Sequence, residues 1–160
     1  MKNPLLKFTI TLILFWAGAT ITGLSQTKKE ANFVVSVGDL LEVSIRQGDI
    51  KIFTGSGNEV NLIAKNIEQD EVSLLTMEQK QGKVEVKFKG EDSDKFELEL
   101  RIPESMNLDF STGGGNISVK GDLKGLVDGS TGGGNISAEN IFGKTEFSTA
   151  GGLGYGEYAG

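Results

Sequence analysis

Ser111-Thr112-Gly113-Gly114-Gly115-Asn116-Ile117-Ser118 returns as Ser130-Thr131-Gly132-Gly133-Gly134-Asn135-Ile136-Ser137, and a decayed third copy starts at Ser148-Thr149-Ala150-Gly151-Gly152. Spacings of 19 and then 18 residues are shorter than most helical repeats and suit a β-solenoid, in which each unit adds short strands to a stacked core. Aligning the copies sets Leu108, Val127 and Thr145 in one column, Phe110, Gly129 and Phe147 in the next, and Thr112, Thr131 and Thr149 in a third. Beyond the glycines, Ile117 matches Ile136, Val119 matches Ala138 and Leu123 matches Ile141. Each repeat therefore predicts one strand before and one after a corner made of Gly113, Gly114, Gly115 and Asn116, or of Gly132, Gly133, Gly134 and Asn135. A sharp corner suggests positive φ, which glycine adopts freely and asparagine tolerates.

Upstream of the repeats the pattern has period two, the mark of strands with one wet face. Leu41, Val43 and Ile45 alternate with Glu42, Ser44 and Arg46, and Ile50 and Ile52 follow a Gln47-Gly48-Asp49 turn. Val84, Val86 and Phe88 alternate with lysines and Glu85; Phe96, Leu98, Leu100 and Ile102 alternate with Glu97, Glu99 and Arg101. Pro103 cannot donate to a ladder and closes this region, which reads as antiparallel. The expected fold is all-β, a right-handed β-solenoid or β-helix-like stack preceded by an amino-terminal antiparallel region.

The first 25 residues differ. Lys2 and Lys7 precede an apolar run from Phe8 to Ala19, and Gly23-Leu24-Ser25 ends it, as in a signal peptide cleaved after Ser25. If uncleaved, the segment is the chain's one membrane contact. Residues 26–38 are expected as a linker or first strand, 39–152 as a single β-repeat domain and 153–160 as an incomplete coil or truncated tail. The expected location is exported: periplasm, cell surface or secreted.

Without its signal the chain carries 14 Lys and Arg against 22 Asp and Glu, a formal charge of −8. Such a surface disfavours nucleic acid and anionic headgroups. The chain has no His and no Cys, which excludes Ser-His-Asp and Cys-His nucleophiles, His or Cys zinc sites and disulfides. No catalytic residue, cofactor or metal is expected, and the chain reads as not an enzyme.

Outward positions of the repeats hold Asp109, Asp128 and Glu146, each two residues before Ser111, Ser130 and Ser148. In register these acids sit roughly 4.8 Å apart, a spacing that is costly for like charges unless they are solvated or bridged. Together with the three serines they form the candidate binding ladder. A plain wet face explains the acids better than calcium does, since no second ligand set recurs at the same spacing, and a carboxylate-dependent polysaccharide hydrolase or lyase, although its acid spacing could be met, lacks aromatic or basic residues for a cleft. Gly143-Lys144-Thr145 lacks the helix a phosphate loop requires. Asn116-Ile117-Ser118 and Asn135-Ile136-Ser137 match the glycosylation pattern as a by-product of the repeat. Glu91-Asp92-Ser93-Asp94 reads as a solvated hairpin tip.

The opening Val43 to Ile52, the Arg101-Ile102-Pro103 segment followed by Leu108, and the Ser-Thr-x-Gly-Gly-x-Ile units together resemble the putative adhesin family of exported bacterial β-strand-repeat proteins, a domain of unknown function. The resemblance covers about Val35 to Gly152 and implies a β-helix-like stack without shared catalytic residues. It implies surface binding, with a cell-surface glycan or envelope component as partner; a cell-envelope scaffold or stress-response component binding a protein is the alternative. An open coil edge would also permit self-association.

Overall fold

A computed structural model describes residues 27–90 and 96–158. The signal segment and the Glu91–Asp94 tip lie outside the described residues. Among these residues thirteen strands follow one another: β1 (Thr27–Val34), β2 (Leu40–Ile45), β3 (Asp49–Gly55), β4 (Glu59–Ile67), β5 (Leu75–Lys80), β6 (Lys83–Phe88), β7 (Glu97–Pro103), β8 (Asn107–Thr112), β9 (Ile117–Lys120), β10 (Val127–Thr131), β11 (Ile136–Ile141), β12 (Thr145–Thr149) and β13 (Gly154–Tyr158). A 3₁₀ turn, Val72–Leu74, precedes β5. Among the described residues no helix is long and apolar enough to cross a membrane.

The strands make two mixed sheets, one of seven in the order β1-β4-β7-β3-β9-β11-β13 and one of six in the order β12-β10-β8-β2-β6-β5. This corrects the expected right-handed solenoid: the architecture is all-β with two mixed sheets, and it is not a closed barrel. The expected antiparallel amino-terminal region is corrected too. Among the described residues antiparallel pairing is confined to β1 with β4, β4 with β7 and β5 with β6. β2 and β3 instead pair in parallel on both sides, with β6 and β8 and with β7 and β9 respectively. The reason is connectivity. From β7 onward successive strands go alternately to the two sheets, and a chain that returns to a sheet after visiting the other lays its new strand parallel to the last.

Alternation then decides burial. Leu41, Val43, Ile50, Ile52, Val84, Val86, Leu98 and Leu100 are each at most 1 % exposed and belong to one core cluster fed by both sheets. Phe88 and Phe96 stack within it, ring centroids 4.2 Å apart. The repeat columns pair residue for residue: Leu108 with Val127 and Val127 with Thr145, Phe110 with Gly129 and Gly129 with Phe147, Thr112 with Thr131 and Thr131 with Thr149. On the other sheet Ile117 lies beside Ile136 and Val119 beside Ala138, and an isolated bridge joins Leu123 to Ile141.

The corners hold by close approach. Among the described residues positive φ falls at Gly48 and four other glycines, and at Asn66 and Asn140, but at none of the repeat glycines nor at Asn116 or Asn135. The expectation of left-handed corners is therefore corrected. A Cβ on Gly115 would lie 1.9 Å from the Gly48 carbonyl oxygen, and one on Gly134 would lie 2.0 Å from that of Gly115. The same crowding marks the opposite corner, where Gly125 faces the Met106 carbonyl at 1.8 Å and Gly143 faces that of Gly125 at 1.9 Å.

Candidate binding face

The outer face of the six-stranded sheet carries the predicted ladder. Asp109 pairs with Asp128 and Asp128 with Glu146; Ser111 pairs with Ser130 and Ser130 with Ser148. Both rows run further than the repeats. Glu42 pairs with Asp109 and with Glu85, and Glu85 with Glu78, so six carboxylates cross all six strands. The hydroxyl row continues through Ser44 to Lys87. These extensions escape a reading of the repeat because Glu42 and Glu85 lie in unrelated segments. Their outward place in alternating strands was the available signal.

Electrostatics divide this row in two. At the β2-β6-β5 side Lys83 bridges Glu42 and Glu85, Lys87 reaches Glu85 at 2.9 Å, and Lys80 reaches Glu78 at 3.1 Å. Hydrogen bonds from Lys87 and then Lys83 hold the Glu85 carboxyl down at about 2. Because that value lies below the unfolded one of 4.5, its contribution is complete above the unfolded value and is lost as pH falls through about 2. At the β8-β10-β12 side no Lys or Arg among the described residues makes a salt bridge with Asp109, Asp128 or Glu146. Partial burial raises the Asp109 pKa, helped by Asp128 and Glu42 and opposed by Lys83.

A carboxyl raised above its unfolded value opposes folding once ionised, and that cost disappears as acid neutralises it. The Asp109→Asn/Asp128→Asn double variant is therefore expected to gain stability at pH 7, by about 0.5 kcal/mol after allowance for solvent screening at these exposed positions. The gain should shrink in high salt and vanish below about pH 3. Urea midpoints measured across pH check this; a double variant less stable at pH 7 would mean that the carboxylates make a stabilising contact. Among the described residues no three His, Cys, Asp or Glu side chains group closely enough to hold a metal ion.

The corner residues have a structural task. Asp49 Oδ1 accepts the Asn116 N–H at 2.8 Å, Asn116 Oδ1 that of Asn135 at 3.0 Å, and Asn135 Oδ1 that of Leu153 at 2.9 Å. Inside, Thr112 Oγ1 donates to the Gly48 carbonyl at 3.0 Å, Thr131 to Gly115 at 2.8 Å and Thr149 to Gly134 at 2.9 Å. Thr112 and Thr131 are the buried polar side chains of the described core. Each rung's asparagine and threonine thus satisfy backbone groups of a neighbouring rung, the threonines on the buried side, where an unpaired carbonyl would be costly, and the asparagines on the exposed side.

The outer face of the seven-stranded sheet carries a charge network absent from the sequence reading. Lys65 reaches Glu99 at 2.6 Å and Glu97 at 2.9 Å, and Lys51 also pairs with Glu97. The Lys65 ammonium is raised by these partners, Glu99 foremost; Glu97 is lowered chiefly by Lys51 and Glu99 chiefly by Lys65.

No protein-family model matches the chain, and no curated protein matches it. Among solved structures it is similar to a putative cell adhesion protein from Clostridium sporogenes (11 % identity, TM-score 0.44, covering 83 % of this chain and 100 % of that one). It is also similar to a putative lipid binding protein from Parabacteroides distasonis (15 % identity, TM-score 0.47, 82 % and 67 %) and to a putative adhesin from the same organism (13 % identity, TM-score 0.40, 84 % and 70 %).

Proposed function

We propose that the chain is an exported, non-enzymatic surface-binding module of adhesin type, which presents its outer sheet faces to glycan or other envelope components. The observation that carries this reading is the pair of registered polar rows on the six-stranded sheet, Ser44-Ser111-Ser130-Ser148 beside Glu42-Asp109-Asp128-Glu146. Hydroxyls and carboxylates at strand spacing on a wet face offer many weak contacts in series, and such contacts gain affinity by acting together.

The acids are placed poorly for hydrolysis. Among the surface grooves, one is bordered by Ser44, Arg46, Lys87 and Lys89 and another by Phe53, Glu59, Asn61 and Arg101, and neither of these two includes Asp109, Asp128 or Glu146. A glycosidic bond held on the flat row would remain exposed to solvent, without the positioning that paired-acid catalysis needs.

The test is retention. Protein added to cells or to envelope fractions is expected to sediment with them and to be released by soluble competing glycan. Sedimentation no greater than that of an unrelated β protein of equal charge would contradict the proposal.

A further inference from the structure

On the seven-stranded sheet the register brings Asn61 of β4, Arg101 of β7, Phe53 of β3 and Lys120 of β9 into one row across four adjacent strands. Asn61, Arg101 and Phe53, with Glu59, border an open groove of about 340 Å³. An aromatic ring on a wet sheet face, where the neighbouring positions are polar, is the first unusual feature. The second is the state of Arg101. Its guanidinium carbon lies 5.8 Å from the Phe53 ring centroid, and its side chain is 67 % exposed. Its contact with Glu99 Oε1 is long, 3.5 Å, while Lys65 holds the other oxygen of that carboxylate at 2.6 Å. Phe53 thus orients a guanidinium that makes one long hydrogen bond to Glu99 and keeps further N–H donors toward the groove's solvent side.

We propose that this groove binds a carboxylate-bearing sugar, a uronic-acid unit of a glycan, an assignment that rests on the surface-binding reading and names a ligand class for it. Arg101 takes the carboxylate through paired N–H donors, and Lys120 adds a second positive charge from the adjoining strand. Phe53 supplies the apolar surface against which a sugar ring loses water, while Asn61 and Glu59 exchange hydrogen bonds with its hydroxyls. The chain as a whole is acidic, at formal charge −6, so local cations beside an aromatic select an anionic ring here where the bulk field would repel it.

Backbone NMR of the protein titrated with tetragalacturonate, cellotetraose and sodium acetate tests this. Tetragalacturonate is expected to shift resonances clustered on β3, β4, β7 and β9, with cellotetraose and acetate each binding about tenfold or more weakly, the loss expected when a charge-assisted contact or the ring contact is missing. Arg101→Gln should weaken tetragalacturonate by about tenfold while leaving the urea midpoint unchanged, as befits an exposed side chain, and Phe53→Leu should weaken it as well. Binding unchanged by Arg101→Gln, or acetate as effective as the oligomer, overturns the site. Retention on cells that ignores Arg101→Gln leaves the surface-binding reading standing and removes this one. Arg101-dependent sugar binding without retention does the reverse.

Discussion

Alanine at Gly115 is expected to destabilise the fold by about 3 kcal/mol, whereas alanine at the adjacent Gly114 should be neutral or stabilise it by about 0.5 kcal/mol. The two positions are adjacent in sequence and differ in what surrounds them in space. A Cβ at Gly115 would sit 1.9 Å from the Gly48 carbonyl oxygen, a backbone atom fixed in the neighbouring corner, while nothing lies within 4 Å of one at Gly114. Neither position has positive φ, so backbone strain cannot blur the comparison. Gly114→Ala restricts the unfolded chain without a folded-state clash, which sets its sign. Urea unfolding of the two variants reads the difference directly. Equal losses would show that the corners require glycine for flexibility instead of for proximity.

Truncation of Phe110 is the second large effect, expected to cost about 3–5 kcal/mol. Its ring is 1 % exposed and lies 6.5 Å, centroid to centroid, from that of Phe147. Gly129 separates the two strands that carry them, and a Cβ there would meet Phe110 at 2.3 Å and Phe147 at 3.0 Å. The column is therefore packed large, small, large, with glycine vacating the volume that two aromatic rings fill. Gly129→Ala alone should cost about 1–3 kcal/mol by overpacking. Combined with Phe110→Ala, the methyl enters the space left by the ring, so the double variant should be more stable than the sum by about 1 kcal/mol. A strictly additive cycle in chemical denaturation would contradict the shared volume.

Much of the fold could be read from residues, because burial follows alternation and the repeats dictate which side chains stack. The pairing of Leu108 with Val127 and of Ile117 with Ile136 needs nothing beyond aligning two copies. The order of strands was harder. β3 lies between β7 and β9 although more than forty residues separate it from either, and no local pattern reports on that choice. The same gap hid part of the candidate face: Asp109, Asp128 and Glu146 are legible as one row, but Glu42 and Glu85 join it only once β2 and β6 take their places. Glycine misled for a different reason. Its missing side chain serves positive φ and close approach alike, and sequence does not tell them apart. Phe53 and Arg101 belong to separate alternating strands, so their meeting depends on the parallel register of β3 with β7.

The most direct test of the stacked register uses the absence of native cysteine. Ser111 and Ser130 occupy paired positions on β8 and β10 with their side chains outward, a separation of roughly 4.8 Å between strands that a disulfide can span. Under mild oxidation the folded Ser111→Cys/Ser130→Cys variant is predicted to form an intramolecular disulfide, seen as a mass loss and faster migration without reductant. The Ser111→Cys/Ser118→Cys control, with its cysteines on different sheets, should stay reduced. A reduced first pair, or a disulfide in the control alone, would contradict the register on which the core, the corners and the proposed binding faces all depend.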